Sequence, residues 1–278
     1  MSDQPMVNFS AAQQKFWLIA CQPELGMDEL LEANLAIAWA EYPRLDLNLY
    51  RDRLHQFSQE LTSGLKGVTY PMKQVQVINQ YLYNHKKFQG NQANYYDPRN
   101  SLITDVLDSR QGIPISLSVI YLILSDRAGV SFDGVNFPGH FLIKPRSPQL
   151  EILVDPFFRG EILFEQDCVQ RLEQIYGKEV QLQPEFLTPV GVREILQRIL
   201  TNLKMIYLQQ RSFTKALRMV QWILLLYPES INQIRDRGLL CYQLGYLVEA
   251  KADLQQYVEA CPQELDTVVI KQILAQIS

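Results

Sequence analysis

Pro138-Gly139-His140-Phe141-Leu142-Ile143-Lys144 and, after a loop holding Pro145 and Pro148, Leu150-Glu151-Ile152-Leu153-Val154-Asp155 decide the reading of this chain. The two apolar runs, separated by prolines, predict strands over 140–144 and 150–155. If Lys144 faces Glu151 in an antiparallel pair, Leu142 faces Leu153 and His140 faces Asp155. Alternation then puts all six side chains on one face of the sheet. The opposite charges of Lys144 and Glu151 favour that register. The consequence is a carboxylate beside an imidazole, an arrangement that fixes a histidine tautomer and stabilises its cation. The same pair also serves as a structural hydrogen bond, since buried polar groups are normally satisfied. A further short strand is expected over 161–164.

Upstream, Gly112-Ile113-Pro114 starts a helix that runs to Ala128-Gly129. Its apolar residues, from Ile115 to Leu124, cover nearly every face, which predicts a helix inside its domain. Before it lie a turn-rich loop, Tyr95-Tyr96-Asp97-Pro98-Arg99-Asn100, and a short helix over 102–107. Residues 1–90 read as helical. A polar–apolar segment follows Phe9-Ser10, Met27 to Tyr42 has helical spacing, and Pro43 ends that helix. A third helix over 45–61 places Leu47, Leu49, Tyr50, Leu54 and Phe57 on one broad face. Pro71 opens a fourth.

Downstream, one 34-residue offset separates Tyr207 from Cys241, Ala216 from Ala250 and Pro228 from Pro262. That is the tetratricopeptide period. The glycine usual in the first helix of such a repeat is Lys204 in one unit and Gly238 in the other. Two units and a last helix over 263–277 fall short of the three repeats a solenoid needs. The region is therefore expected to dock on the preceding domain.

With 47% apolar and 20% charged residues among 278 and a net charge of −4, the chain reads as a globular protein and lacks the basic stripe of a nucleic-acid binder. No secretory signal and no run long enough to cross a bilayer is read, so a cytoplasmic, membrane-free protein is expected. Cys21, Cys168, Cys241 and Cys261 are scattered, and with three histidines (His55, His85, His140) no metal-ligand spacing arises. No cofactor is expected.

The run Asn100-Ser101, Arg110-Gln111-Gly112-Ile113-Pro114-Ile115-Ser116-Leu117, Tyr121, Gly134, Pro138-Gly139-His140-Phe141, Asp155-Pro156-Phe157 and Gly160 resembles the SirB family of transglutaminase-like proteins. The resemblance covers roughly residues 30–275. It implies an α+β, mostly helical fold: a transglutaminase-like (papain-like) core with a small antiparallel sheet, a helical N-terminal lead-in and C-terminal tetratricopeptide-like hairpins. The parts expected are 1–90, 91–188 and 189–278. The resemblance also implies a Cys–His–Asp triad in which His140 and Asp155 match the last two members and the cysteine position falls on Pro114. Ser118 is the better-placed substitute hydroxyl, about 40° from Pro114 around the helix but roughly 6 Å deeper. A mid-helix serine more often bonds back to the carbonyl four residues earlier. Ser116 points away, and Cys168 follows the hairpin closely enough to be considered. Tyr95 and Tyr96 either line the cleft or shape the loop. Asn100 and Arg110 are expected to buttress the helix start through backbone carbonyls. The function expected is a non-catalytic scaffold holding a protein or peptide partner. The alternative is a hydrolase or acyltransferase on amide or ester bonds, using His140 and Asp155 with Ser118 or another nucleophile.

Overall fold

A computed structural model describes residues 10–147 and 150–277; Phe9 and Pro148 lie outside the described residues. Contacts divide the chain into two units, one through Leu196 and one from Gln197. The fold is mostly helical with a small antiparallel sheet.

The first unit begins with α1 (Ala11–Ala20), α2 (Met27–Glu41), α3 (Leu47–Leu65) and α4 (Pro71–Asn79). Ser10 caps α1 by accepting the Gln13 N–H at 3.3 Å, and Asp46 caps α3 through the Asn48 N–H at 3.0 Å. Tyr50, Leu54, Phe57 and Leu61 bury one face of α3, but Leu49 is exposed. The broad face read from the sequence was one residue too wide there: Leu49 lies more than a quarter-turn from the Tyr50 row, beyond the width of the core-facing stripe. A π-helical turn over Gln80–His85 extends α4.

The strand β1 (Gln89–Gly90) pairs in parallel with β2 (Gln111–Gly112), with the short helix α5 (Ile103–Ser109) between them. Helix α6 (Pro114–Arg127) comes next, buried from Pro114 through Ser125 as expected of a helix apolar all round. It packs against α2, α3 and α5 and against two strands, β3 (Phe132–Val135) and β4 (Leu142–Pro145). Each fully buried Leu or Ile on α6 contributes roughly 1.5–3 kcal/mol. Tyr121 stacks edge-on against Phe132 at 5.1 Å between ring centres, but its hydroxyl is buried with no hydrogen-bond partner among the described residues. A buried hydroxyl without a protein partner costs about 1–3 kcal/mol. Tyr121→Phe keeps the ring and removes the orphan, so it is expected to stabilise the unit by about 1 kcal/mol. A denaturant midpoint that rises at unchanged slope would show this; a fall would mean the hydroxyl has a partner.

After β4 come β5 (Leu153–Asp155), β6 (Glu161–Leu163), the helix α7 (Glu165–Tyr176) and β7 (Pro189–Val190). The sheet order is β6-β5-β4-β3-β7, antiparallel throughout. The hairpin exists, but both strands are shorter than the sequence suggests and the register differs. Ile143 pairs with Val154, which carries Leu142 opposite Asp155 and Lys144 opposite Leu153. The shift is two residues, so every side chain keeps its face. A Lys–Glu match is worth only tenths of a kcal/mol at a surface. Burial of Leu142, Leu153, Leu163, Cys168 and Leu172 in one cluster with Val135 and Phe137 weighs far more.

The second unit takes in the body of α8 (Val192–Gln209), then α9 (Phe213–Leu226), α10 (Ile231–Leu244), α11 (Leu247–Ala260) and α12 (Thr267–Ile277). The repeat positions Tyr207, Ala216, Cys241 and Ala250 are all buried. A Cβ on Gly238 would come within 2.9 Å of Leu254, so the glycine lets α10 and α11 approach closely. Lys204, at the matching place, is nearly buried and pairs with Asp236 at 2.8 Å and Gln233 at 3.1 Å. Among the described residues no helix is long and apolar enough to cross a membrane.

Candidate functional site

Two turns build the site. Pro138-Gly139 bends the chain into β4, with Gly139 in the left-handed region at φ +66°, and the His140 N–H closes the bend on the Phe137 carbonyl at 3.0 Å. Asp155 ends β5 and starts a second turn, over 156–160, that closes when the Gly160 N–H donates to the Asp155 carbonyl at 2.8 Å. In the observed register His140 lies just beyond β4, diagonal to Asp155 rather than opposite it. The pair still meets: Nε2 of His140 is 2.9 Å from Oδ2 of Asp155. Diagonal neighbours on one face are within reach of a long side chain.

Asp155 is fully buried and accepts from four donors. Oδ1 takes the N–H groups of Phe157 at 3.0 Å and Phe158 at 3.3 Å; Oδ2 takes His140 and the Arg171 guanidinium. Burial pushes its carboxyl up, but the hydrogen bonds and charges of His140 and Arg171 outweigh that and hold it below the usual carboxylate range. Arg171, on α7, also bonds Glu161 at 2.5 Å. Its guanidinium lies 5.1 Å from the centre of the Phe158 ring, which in turn stacks on His140 at 6.1 Å. Phe157 meets His140 edge-on at 6.0 Å, and Tyr95 meets Phe157 at 5.9 Å. Arg171, Glu161 and the two phenylalanines were not read from the sequence as site residues. One signal existed: Glu161, on the strand after Asp155, predicts two neighbouring carboxylates that need a cation.

The start of α6 is a second built feature. Ser116 Oγ accepts the Ile113 N–H at 3.0 Å and donates to the Asn100 carbonyl at 2.5 Å. A Cβ on Gly112 would lie 2.7 Å from that hydroxyl, so only glycine fits. Asn100 donates to the carbonyls of Asn94 at 2.7 Å and Tyr95 at 3.2 Å, and so shapes the loop that carries Tyr95 and the exposed Tyr96. Arg110 does not act in that way. Its guanidinium sits 5.0 Å from the ring centres of both Phe57 and Phe88, a cation between two aromatic faces, and Nη1 has no hydrogen-bond partner among the described residues. Pro114 is the buried first residue of α6. Ser118 is fully buried and donates its hydroxyl to the Pro114 carbonyl at 2.7 Å.

Cys168 lies in the core cluster of the sheet, and burial pushes its thiol up to about 11. Among the described residues, no hydroxyl or thiol hydrogen-bonds His140, and no group of three or more His, Cys, Asp or Glu side chains is placed to hold a metal.

The chain as a whole is similar to known proteins. The pattern of the transglutaminase-like superfamily matches residues 48–201, and that of the tetratricopeptide repeat matches residues 203–275. A UPF0162 protein of Xylella fastidiosa is 36% identical over 90% of this chain and 90% of its own length. A UPF0162 protein of Vibrio cholerae is 30% identical over 90% and 93%. F-box only protein 21 of Mus musculus is 31% identical over 60% of this chain, but the match spans 28% of that longer protein. No solved structure matches the chain. With a superfamily pattern over more than half its length and relatives of 30% identity or more matched over at least nine-tenths of their length, this chain belongs to the transglutaminase-like superfamily and, within it, to the UPF0162 proteins.

Proposed function

We propose that this protein is a non-catalytic, SirB-type member of its superfamily whose His140 site and tetratricopeptide-type helices hold a protein or peptide partner. One observation carries the reading. The His140–Asp155 pair is complete, yet no described hydroxyl or thiol meets the imidazole. A nucleophile must sit within hydrogen-bond reach of its base. The position that the family resemblance assigns to the cysteine is Pro114, and the hydroxyl about one helical turn further on, Ser118, bonds its own helix backbone. Tetratricopeptide-type helices offer extended surfaces to partners. Phe158, Tyr96 and Phe164 add exposed aromatic surface in the first unit.

Two measurements test this. Thiol- and serine-directed covalent probes are expected to label wild type and His140→Ala alike; labelling that depends on His140 would establish a nucleophile and end the non-catalytic reading. Affinity capture from the native host is expected to recover a partner that His140→Ala loses. An unchanged partner set would move recognition away from this site.

A further inference from the structure

Where α6 stops, β3 starts and β4 stops, a cavity of about 390 Å³ opens, bordered by the first turns of α2 and α8. All of its lining lies within the first unit. Its volume falls in the range of small-molecule sites, roughly 300–1,000 Å³. Met27, Phe132, Val190 and Ile195 give it apolar walls. The two helix starts are not what makes it a site: the Gly26 N–H is already taken by the Glu29 carboxylate at 2.9 Å.

Two charged side chains of the lining are left without a full set of partners. Asp126 lies in the last turn of α6, where a carboxylate opposes the helix dipole rather than complementing it. Its side chain is exposed and makes no hydrogen bond or ion pair among the described residues. Arg146, just past β4, is held by a single bond. Its Nε donates to Asp133 Oδ1 at 2.6 Å, while Nη1 and Nη2 find no acceptor among the described residues. Asp133 thus fixes the guanidinium and leaves its outer edge for a ligand. The cavity presents one open carboxylate and one half-used guanidinium over an apolar wall. That combination complements a zwitterion with an apolar body: ammonium to carboxylate, carboxylate to guanidinium, side chain to the wall.

We propose that this cavity is a binding site for a free α-amino acid with an apolar side chain. Asp126 receives the ammonium, Arg146 the carboxylate, and Phe132 and Ile195 the side chain. The site shares no residue with the His140–Asp155 pair and does not depend on what that pair does. A ligand bearing only one of the two charges leaves either Asp126 or Arg146 unmatched, which separates a free amino acid from either end of a peptide.

The test is a titration of the full chain followed by methyl NMR, with L-leucine, glycine, N-acetyl-L-leucine and L-leucine amide as probes. L-leucine is expected to shift the methyl signals of Met27, Val190 and Ile195 saturably. Glycine, which lacks the apolar body, should bind at least about tenfold more weakly. N-acetyl-L-leucine and the amide should each lose about tenfold or more, because each gives up one hydrogen-bonded charge. The variants then pair with the probes. Asp126→Asn should weaken L-leucine yet leave N-acetyl-L-leucine, which has no ammonium, unchanged. Arg146→Gln should weaken L-leucine yet leave the amide, which has no carboxylate, unchanged. Both side chains are exposed, so neither change threatens the fold. No saturable shift up to about 10 mM L-leucine overturns the proposal. So does either blocked probe binding as well as the free amino acid. Equal weakening of every probe by both variants overturns it too, because the cavity would then have changed shape rather than lost one charge.

Discussion

Asp155→Ala is expected to cost the first unit about 3–5 kcal/mol, the usual penalty for removing one partner from a buried charge pair. The magnitude reflects the groups left stranded. Arg171 Nη1, His140 Nε2 and the N–H groups of Phe157 and Phe158 all lose their acceptor at once. Alanine leaves too little room for water to replace four bonds. At roughly 2–4 °C per kcal/mol for a unit of this size, thermal unfolding should fall by about 10 °C. A loss under about 1 kcal/mol would mean that water already shares the site.

Asp155→Asn separates charge from shape. The wild-type carboxyl titrates below its unfolded value because His140 and Arg171 outweigh its burial. Its contribution is therefore fully present above about pH 4, the unfolded value, and is lost as pH falls through the lower folded value. The stability gap between wild type and Asp155→Asn should be widest near neutrality and should narrow below about pH 4. A gap that stays constant down to pH 2 would show that Asp155 gains nothing from His140 and Arg171.

Local pattern carried much of this fold. The buried helix α6, the four leading helices and the 34-residue repeat are each written in apolar spacing and prolines, and each formed, although α3 starts two residues later and runs four residues further than its spacing suggests. The His140–Asp155 pairing was legible for a sturdier reason than the register proposed for it. Face is fixed by parity, and a slip of two residues preserves parity, so the two side chains meet diagonally instead of directly. What stayed hidden needs distance in sequence. The strands β3 and β7 are four and two residues long, too short for alternation to declare them. Arg171 reaches Asp155 from a helix 16 residues later, and nothing in α7 singles it out from other surface arginines. Arg110 shows the opposite error. A polar side chain near a helix start suggests hydrogen bonds to carbonyls, yet the chain answered with Phe57 and Phe88.

Gly160→Ala is the second large effect expected, about 3 kcal/mol or more, and Gly177→Ala is its control. Both glycines lie in the left-handed region, at φ +74° and +65°, so both replacements carry the same backbone strain of about 1–2 kcal/mol. They differ in space. At Gly177, which ends α7, a methyl group meets nothing within 4 Å. At Gly160 it would overlap the amide of Asn79, the group that donates to the Gly160 carbonyl at 2.7 Å. The Asn79 amide can swing aside only by giving up its bond to the Gly160 carbonyl. Asn79 sits on α4, and the Gly160 N–H closes the turn on the Asp155 carbonyl at 2.8 Å. Overpacking of that kind adds about 1–3 kcal/mol to the strain. Equal losses at the two positions would mean that the turn over 156–160 moves freely against α4. Unequal losses, with the His140 resonances disturbed only in Gly160→Ala, would mean that α4 holds the turn in place, and with it the two N–H groups that fix Asp155 beneath the imidazole.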